Sequence, residues 1–319
     1  MKRGFVLGTL VVAGALSTAL GAAQQGRGGG QPANTAAALV ADKIGDNLYV
    51  VRGKDPAAFV GGNTAVFVTA KGVTLVDTKV PGWGQALIDK VRELTDRPIT
   101  TIINTHTHFD HVGSNPEFPP TVEVVTHENT ANLMKEMRPV TGVQVPGGNI
   151  FKESGGRGLA RRTFTDRLTL GAGNERVELY YFGPAHTGGD TWVFFPAHRT
   201  LHTGDVFPNK GLPIMDANNG GSGVQYAQTI AKAVSTLKDT QTVITGHNNT
   251  TLTLADLRTY GEFVAEFVKT VQDGKKAGRS IDEIAKGWTV PARFVKDGYS
   301  TQPAQWLRAG VEVIWNETK

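Results

Sequence analysis

The chain contains no cysteine among its 319 residues. That excludes a disulfide and a lipid-modified cysteine, so an exported form must rely on a core large enough to need no covalent staple. Charge of one sign is also scarce: 33 basic residues stand against 29 acidic ones, for a formal +4. This is too mild to argue for nucleic acid as a partner. Long apolar runs are missing except at the N-terminus. There Lys2 and Arg3 precede an apolar stretch, residues 5–20, and Gly21-Ala22-Ala23 offers a small-residue cleavage site. The stretch is short for a membrane span and leads into polar residues, so 1–23 reads as a secretory signal peptide rather than a retained anchor. Its removal takes away Lys2 and Arg3 and no acid, which lowers the formal +4 by two, to +2. Residues 24–37, rich in Gly and Gln, read as a flexible linker, and 38–319 as one globular domain.

Strand and helix signals alternate along that domain. Residues 44–51 read as a strand. Two apolar β-branched runs, 65–68 and 73–76, flank Ala70-Lys71-Gly72 and predict a hairpin. Helical spacing of Ala86, Leu87, Val91 and Leu94 predicts a helix over 83–94. Residues 99–103 read as a buried strand, 122–125 as another, and 128–137 as a helix. Residues 138–162, with six glycines and several basic residues, read as a long loop that either flanks a site or is a solvated insertion. The pattern then restarts: strands over 177–182, 191–195 and 199–202, a helix over 225–237, a strand over 242–245, a helix over 254–272, and two shorter helical segments near Ile281 and Trp306. The order predicts an α/β chain of two halves with loops from both converging on one edge of the sheets.

The ligand chemistry sits just past the strand ends. Thr105-His106-Thr107-His108-Phe109-Asp110-His111 places four strong metal ligands within six residues. His186 follows in Pro-Ala-His-Thr-Gly-Gly-Asp, Asp205 in His-Thr-Gly-Asp-Val-Phe, and His247 in Thr-Gly-His-Asn. Seven imidazole and carboxylate side chains are too many for one tetrahedral ion and suit two ions sharing a carboxylate. Extended backbone sends His106 and His108 to one side, and a turn at Asp110-His111 can aim both at a second ion. His127, His198 and His202 fall outside any motif and read as surface or hydrogen-bonded core residues. Asp205 has the alternative reading of a helix or turn cap, but its Thr-Gly-Asp setting favours a shared ligand; Asp77 has the alternative reading of a plain strand-end carboxylate.

The ordered set His-x-His-x-Asp-His, Pro-x-His-Thr, Thr-Gly-Asp and Gly-His resembles the metallo-β-lactamase superfamily over residues 43–270. The resemblance implies a four-layer αββα sandwich with a dinuclear zinc site. His106, His108 and His186 would hold the first ion, Asp110, His111 and His247 the second, and Asp205 both. Asp77 would steady the ligand loop, and Asp110 would be catalytic by orienting a hydroxide shared by the ions. The implied activity is hydrolysis of a small acyl compound (β-lactam, lactone, ester or thioester) by an exported enzyme, periplasmic or secreted, with no nucleic-acid partner and no membrane anchor once the signal is removed. Asp205 stands where the lactamases proper carry Cys or Ser, and a substrate-binding lysine of one branch is replaced by Pro208. The nearest lysine is Lys210, and Asn218 or Asn219 in the following loop are further candidates for substrate contact. Asp205 therefore favours broad acyl specificity with slow β-lactam turnover. The rival reading is a mononuclear iron sulfur dioxygenase of the same superfamily.

Overall fold

The computed structural model describes residues 34–143 and 148–319; the signal-peptide reading, and the linker up to residue 33, lie outside them. Ala36–Ala38 forms one 3-10 turn leading into the first sheet. That sheet has seven strands in chain order: β1 (Leu39–Lys43), β2 (Leu48–Gly53), β3 (Thr64–Thr69), β4 (Gly72–Val76), β5 (Ile99–Ile103), β6 (Glu123–His127) and β7 (Arg162–Phe164). Pairing is antiparallel through β4 and parallel from β4 to β7. The second sheet has five strands: β8 (Arg167–Leu170), β9 (Val177–Tyr180), β10 (Trp192–Phe195), β11 (Thr200–His202) and β12 (Thr242–Ile244). They lie in the order β12-β11-β10-β9-β8, and only β11 and β12 are parallel.

Period-2 alternation builds the layers. Leu48, Val50, Phe67, Val76 and Ile103 of the first sheet face Val193, Phe195 and Ile244 of the second in one buried cluster. Their neighbours Val51, Val66, Leu75 and Ile102 turn outward and pack on Ala86, Leu87 and Val91 of helix α1 (Gly84–Arg92). On the far side Trp192, Phe194, Leu201 and Val243 pack against three long helices. In chain order the helices after α1 are α2 (Phe109–Val112), α3 (Glu128–Glu136), α4 (Ile150–Glu153), α5 (Gly223–Thr236), α6 (Leu254–Lys276), α7 (Ile281–Gly287), α8 (Ala292–Val295) and α9 (Ala304–Glu317). The long ones are α5, α6 and α9, and α6 starts with a reciprocal Thr253–Asp256 capping box. The result is the four-layer αββα sandwich. Among the described residues no helix is long and apolar enough to cross a membrane.

Several expected boundaries move. The strand read over 44–51 is a hairpin: β1 and β2 pair across a turn, with Lys43 opposite Tyr49. Gly45-Asp46-Asn47 are turn formers and end the run. The loop read over 138–162 contains the single turn α4 and ends in β7, a short strand with two exposed residues that lacks apolar alternation. β8 alternates over only four residues, with Leu168 and Leu170 against the inter-sheet cluster, too short a run to mark a strand. The segment near Trp306 is a full helix of 14 residues. The hairpin β3–β4 and strand β5 fall where the pattern places them.

Candidate metal centre

Every strand that feeds the site releases its residue past its C-terminal end. β4 delivers Asp77, β5 the segment 104–111, β9 the turn of His186, β11 Asp205 and β12 His247. His106, His108, His186 and Asp205 place one ligand atom each within 4.8 Å of one another, and Asp110, His111 and His247 form a second group by the same measure. The two groups touch through Asp205: its Oδ2 is 3.8 Å from His186 Nε2 and 3.2 Å from His247 Nε2, and its Oδ1 is 3.3 Å from His111 Nε2. Asp110 Oδ2 lies 3.3 Å from His247 Nε2. Gly246 makes this approach possible, because a Cβ there would fall on Asp205 Oδ1.

For four of the five histidines the inward nitrogen is selected by a bond on the other side of the ring. His106 Nδ1 donates to Thr105 Oγ1 at 2.9 Å, and the Thr105 hydroxyl donates onward to Asp77 at 2.7 Å. His111 Nδ1 donates to the same Asp77 oxygen at 2.7 Å, so one carboxylate steadies a ligand of each group. His186 Nδ1 donates to the Ile214 carbonyl and His108 Nε2 to Asp216 Oδ2, both at 2.7 Å. The free nitrogens therefore point at each other, His108 Nδ1 to His186 Nε2 at 3.1 Å and His111 Nε2 to His247 Nε2 at 3.3 Å. His106 Nε2 is buried with no hydrogen-bond partner. A buried imidazole nitrogen left bare among lone pairs fits a cation and little else.

Electrostatics agree. Burial, the largest influence, pushes His106 well below its usual range and His186 down to about 4, helped by neighbouring imidazoles. Both are then neutral and ready to ligate. Burial also opposes charge on His111 and His247, but the Asp205 and Asp110 carboxylates outweigh it, raising His111 well above its normal value and His247 to about 9. In return, despite the upward push of burial, the His111 and His247 imidazoles hold Asp110 at about 2 and Asp205 well below the carboxylate range. The two ionised carboxylates thus hold protons on His111 and His247 in the metal-free protein, and a cation between these groups would take the place of those protons.

The profile of the Metallo-beta-lactamase superfamily matches residues 57–257, the stretch that carries all seven candidate ligands. The chain belongs to the metallo-β-lactamase superfamily. It is 32% identical over 112 residues to the alpha subunit of 2,4-dinitroanisole O-demethylase from a Nocardioides species, covering 34% of this chain and 30% of that one. It is 28% identical over 161 residues to a hydroxyacylglutathione hydrolase of Trichodesmium erythraeum, covering 49% of this chain and 51% of that one. The matches thus span about half or less of these relatives' length. A solved metallo-beta-lactamase from Pontibacter korlensis superimposes with a TM-score of 0.57 at 19% identity, over 71% of this chain and 99% of that one. This chain carries, inside the stretch that the family profile matches, a His/Asp cluster able to hold metal.

Around this metallo-β-lactamase centre, the other expected residues fall differently. Lys210 does not join it: its ammonium bonds Asp256 and the Asp297 carbonyl, both at 3.2 Å, because the capping carboxylate of α6 is the nearer anion. Asn218 is exposed and its amide donates to the Pro139 carbonyl at 3.0 Å. Asn219 is the one tied inward, donating to Asp216 at 2.6 Å. Asp216 itself carried no sequence signal. It also accepts from the Thr141 amide and hydroxyl at 3.0 and 2.8 Å, so the loop starting at residue 138 flanks the site and braces His108. His127 and His202 are hydrogen-bonded core residues, as expected. Solvent reaches the ligands over His247, whose side chain is 23% exposed against 10% or less for the partners it faces. Phe59 stacks on that ring at 6.1 Å and meets Phe109 at 6.4 Å, lining the opening with an aromatic pair.

Proposed function

We propose that this chain is an exported, dinuclear zinc hydrolase that cleaves small acyl compounds, with lactones, esters and thioesters favoured over β-lactams. The observation that carries the reading is Asp205, a single carboxylate facing both ligand groups, which is what two ions held in one site require. Imidazole and carboxylate donors without a thiolate suit zinc. When bound, the ions turn water into a nucleophile near neutral pH and polarise a carbonyl oxygen. Asp110, ionised and beside the open edge at His247, is placed to orient the attacking water. Phe59 and Phe109 offer an apolar wall for the acyl or leaving group.

A hydrolase with broad acyl specificity agrees with the hydroxyacylglutathione hydrolase relative and with Asp at the shared position, where the carboxylate's charge lowers the Lewis acidity available to a poor leaving group. The decisive experiment is elemental analysis followed by a panel on one zinc-loaded preparation: a lactone, an ester, a thioester, a chromogenic cephalosporin, a phosphodiester and 2,4-dinitroanisole. Two zinc ions per chain, with acyl cleavage faster than cephalosporin cleavage, is the expected result. Activity on the phosphodiester or the aryl ether alone overturns the acyl assignment, and a single redox-active iron restores the dioxygenase reading. For export, N-terminal sequencing of protein recovered outside the cytoplasm should begin near residues 22–24, and a retained Met1 refutes the signal peptide.

A further inference from the structure

Lys79 belongs to no ligand motif and touches no ligand side chain, yet it carries two costly features. Its backbone lies at φ +78, a region that favours glycine, and its side chain is fully buried. The ammonium is held by two carbonyls, Val51 O at 2.8 Å and Gly62 O at 2.5 Å. Gly62 is the centre of a turn between β2 and β3 that lies directly on the second ligand group. Its amide donates to the Asp110 carbonyl at 3.0 Å, and its Cα packs so closely on the His111 ring that a Cβ would collide with it. The next residue extends the turn across to the other half of the molecule. Asn63 donates from its amide N–H to the Gly246 carbonyl at 2.6 Å, and from its side chain to the Thr245 and Asn248 carbonyls at 2.8 and 2.9 Å. Those residues surround His247 on both sides. The Asn63 carbonyl accepts from His202 Nε2 at 3.1 Å, which closes the turn against β11.

We propose that Lys79 and Asn63 are positioning residues for the second metal group, forming a strap in which Lys79 pins the Gly62 turn onto Asp110 and His111 while Asn63 fixes the turn that bears His247. The three histidines of the first group make their outer bonds elsewhere, His108 to Asp216, His186 to the Ile214 carbonyl and His106 to Thr105. The strap therefore bears on all three ligands of the second group and reaches the first only through the shared Asp205, against which Gly246 packs. A buried ammonium with its acceptors satisfied and a strained backbone survive together only where the surrounding structure fixes them, and here the fixed partner is a turn whose displacement moves all three ligands of one group.

The proposal rests on the two-ion reading of the site and is tested on metal binding, without a substrate. Apoprotein of the wild type and of Lys79→Met, Lys79→Gly and Asn63→Ala is titrated with Zn²⁺ against a chromogenic chelator, and with Co²⁺ while its d–d absorption is followed. His106→Ala and His247→Ala mark which binding step belongs to which group. Each strap variant should bind the first equivalent with wild-type affinity and the second about 10–100-fold more weakly, the loss expected when a ligand's outer support is removed, with altered second-site Co²⁺ bands. Lys79→Gly relieves the backbone strain and still lacks the ammonium, so it should behave as Lys79→Met does. Asn63→Ala leaves Lys79 in place and tests the strap even if the Lys79 variants do not fold. Equal weakening of both steps, or none, overturns the strap. A wild-type chain that binds a single ion overturns the two-ion reading instead, which keeps the two failures apart.

Discussion

Replacing Asp216 by Asn tests whether the carboxylate behind His108 governs the first metal group. Four donors converge on Asp216: His108 Nε2 and Asn219 Nδ2 on Oδ2, and the Thr141 amide and hydroxyl on Oδ1. An amide accepts on one side only. If its oxygen serves Thr141, its NH2 faces His108, whose Nε2 must then accept, moving the ring proton to Nδ1. That is the nitrogen that faces His186 and the ligand cluster. The variant therefore withdraws a ligand atom without altering a ligand residue. Loss of an outer carboxylate on a ligating histidine weakens metal binding by about 10–100-fold, or about 1.4–2.7 kcal/mol. The metal-free protein should lose a further contribution of about 1.5–3 kcal/mol, typical of a hydrogen bond to a charged group, because the Asp216 contact raises His108 against the opposing effect of burial. Chelator competition reads the affinity, with His106→Ala marking the first-group step, and calorimetry of apoprotein reads the stability. Wild-type first-group affinity in Asp216→Asn would refute the reasoning, as would a loss confined to the second group.

Asp110→Asn, analysed with its metal content measured, should turn over at least about 10²-fold more slowly with the fold retained; near wild-type kcat in a fully metallated variant removes Asp110 from the chemistry. His202 is buried and held down to about 4, chiefly by burial. The unfolded chain therefore binds the extra proton between about 6.5 and 4, and stability falls as pH drops through that window, by about 3 kcal/mol in total. Urea titrations of apoprotein at pH 7 and pH 4 should show a smaller acid loss in His202→Gln than in the wild type, and an unchanged loss contradicts the assignment. Phe59→Ala should raise KM for aryl-bearing acyl substrates several-fold more than for acetyl analogues, leaving metal stoichiometry unchanged; equal KM shifts for both would show that the aromatic pair does not contact substrate.

The seven candidate ligands were legible in the chain because each follows a strand end in a short turn motif, and strand, turn and ligand type are all local patterns. The hairpin β3–β4, strand β5 and helix α1 were legible for the same reason: their apolar period is written in consecutive residues. β7 and β8 were not, since β7 is three residues without apolar alternation and the alternation of β8 spans only four. What supports the ligands was also beyond the sequence. Asp216 lies 108 positions from His108, and Asn63 182 positions from Thr245; a hydrogen bond across such separations leaves no period to read. Lys210 showed the converse, a residue near a motif in sequence that the fold gives to a helix cap. The sequence alone determined which atoms can bind metal. The tertiary structure decided which nitrogen of each ring faces inward, because the partner that takes the other nitrogen's proton comes, for most of these rings, from a distant part of the chain.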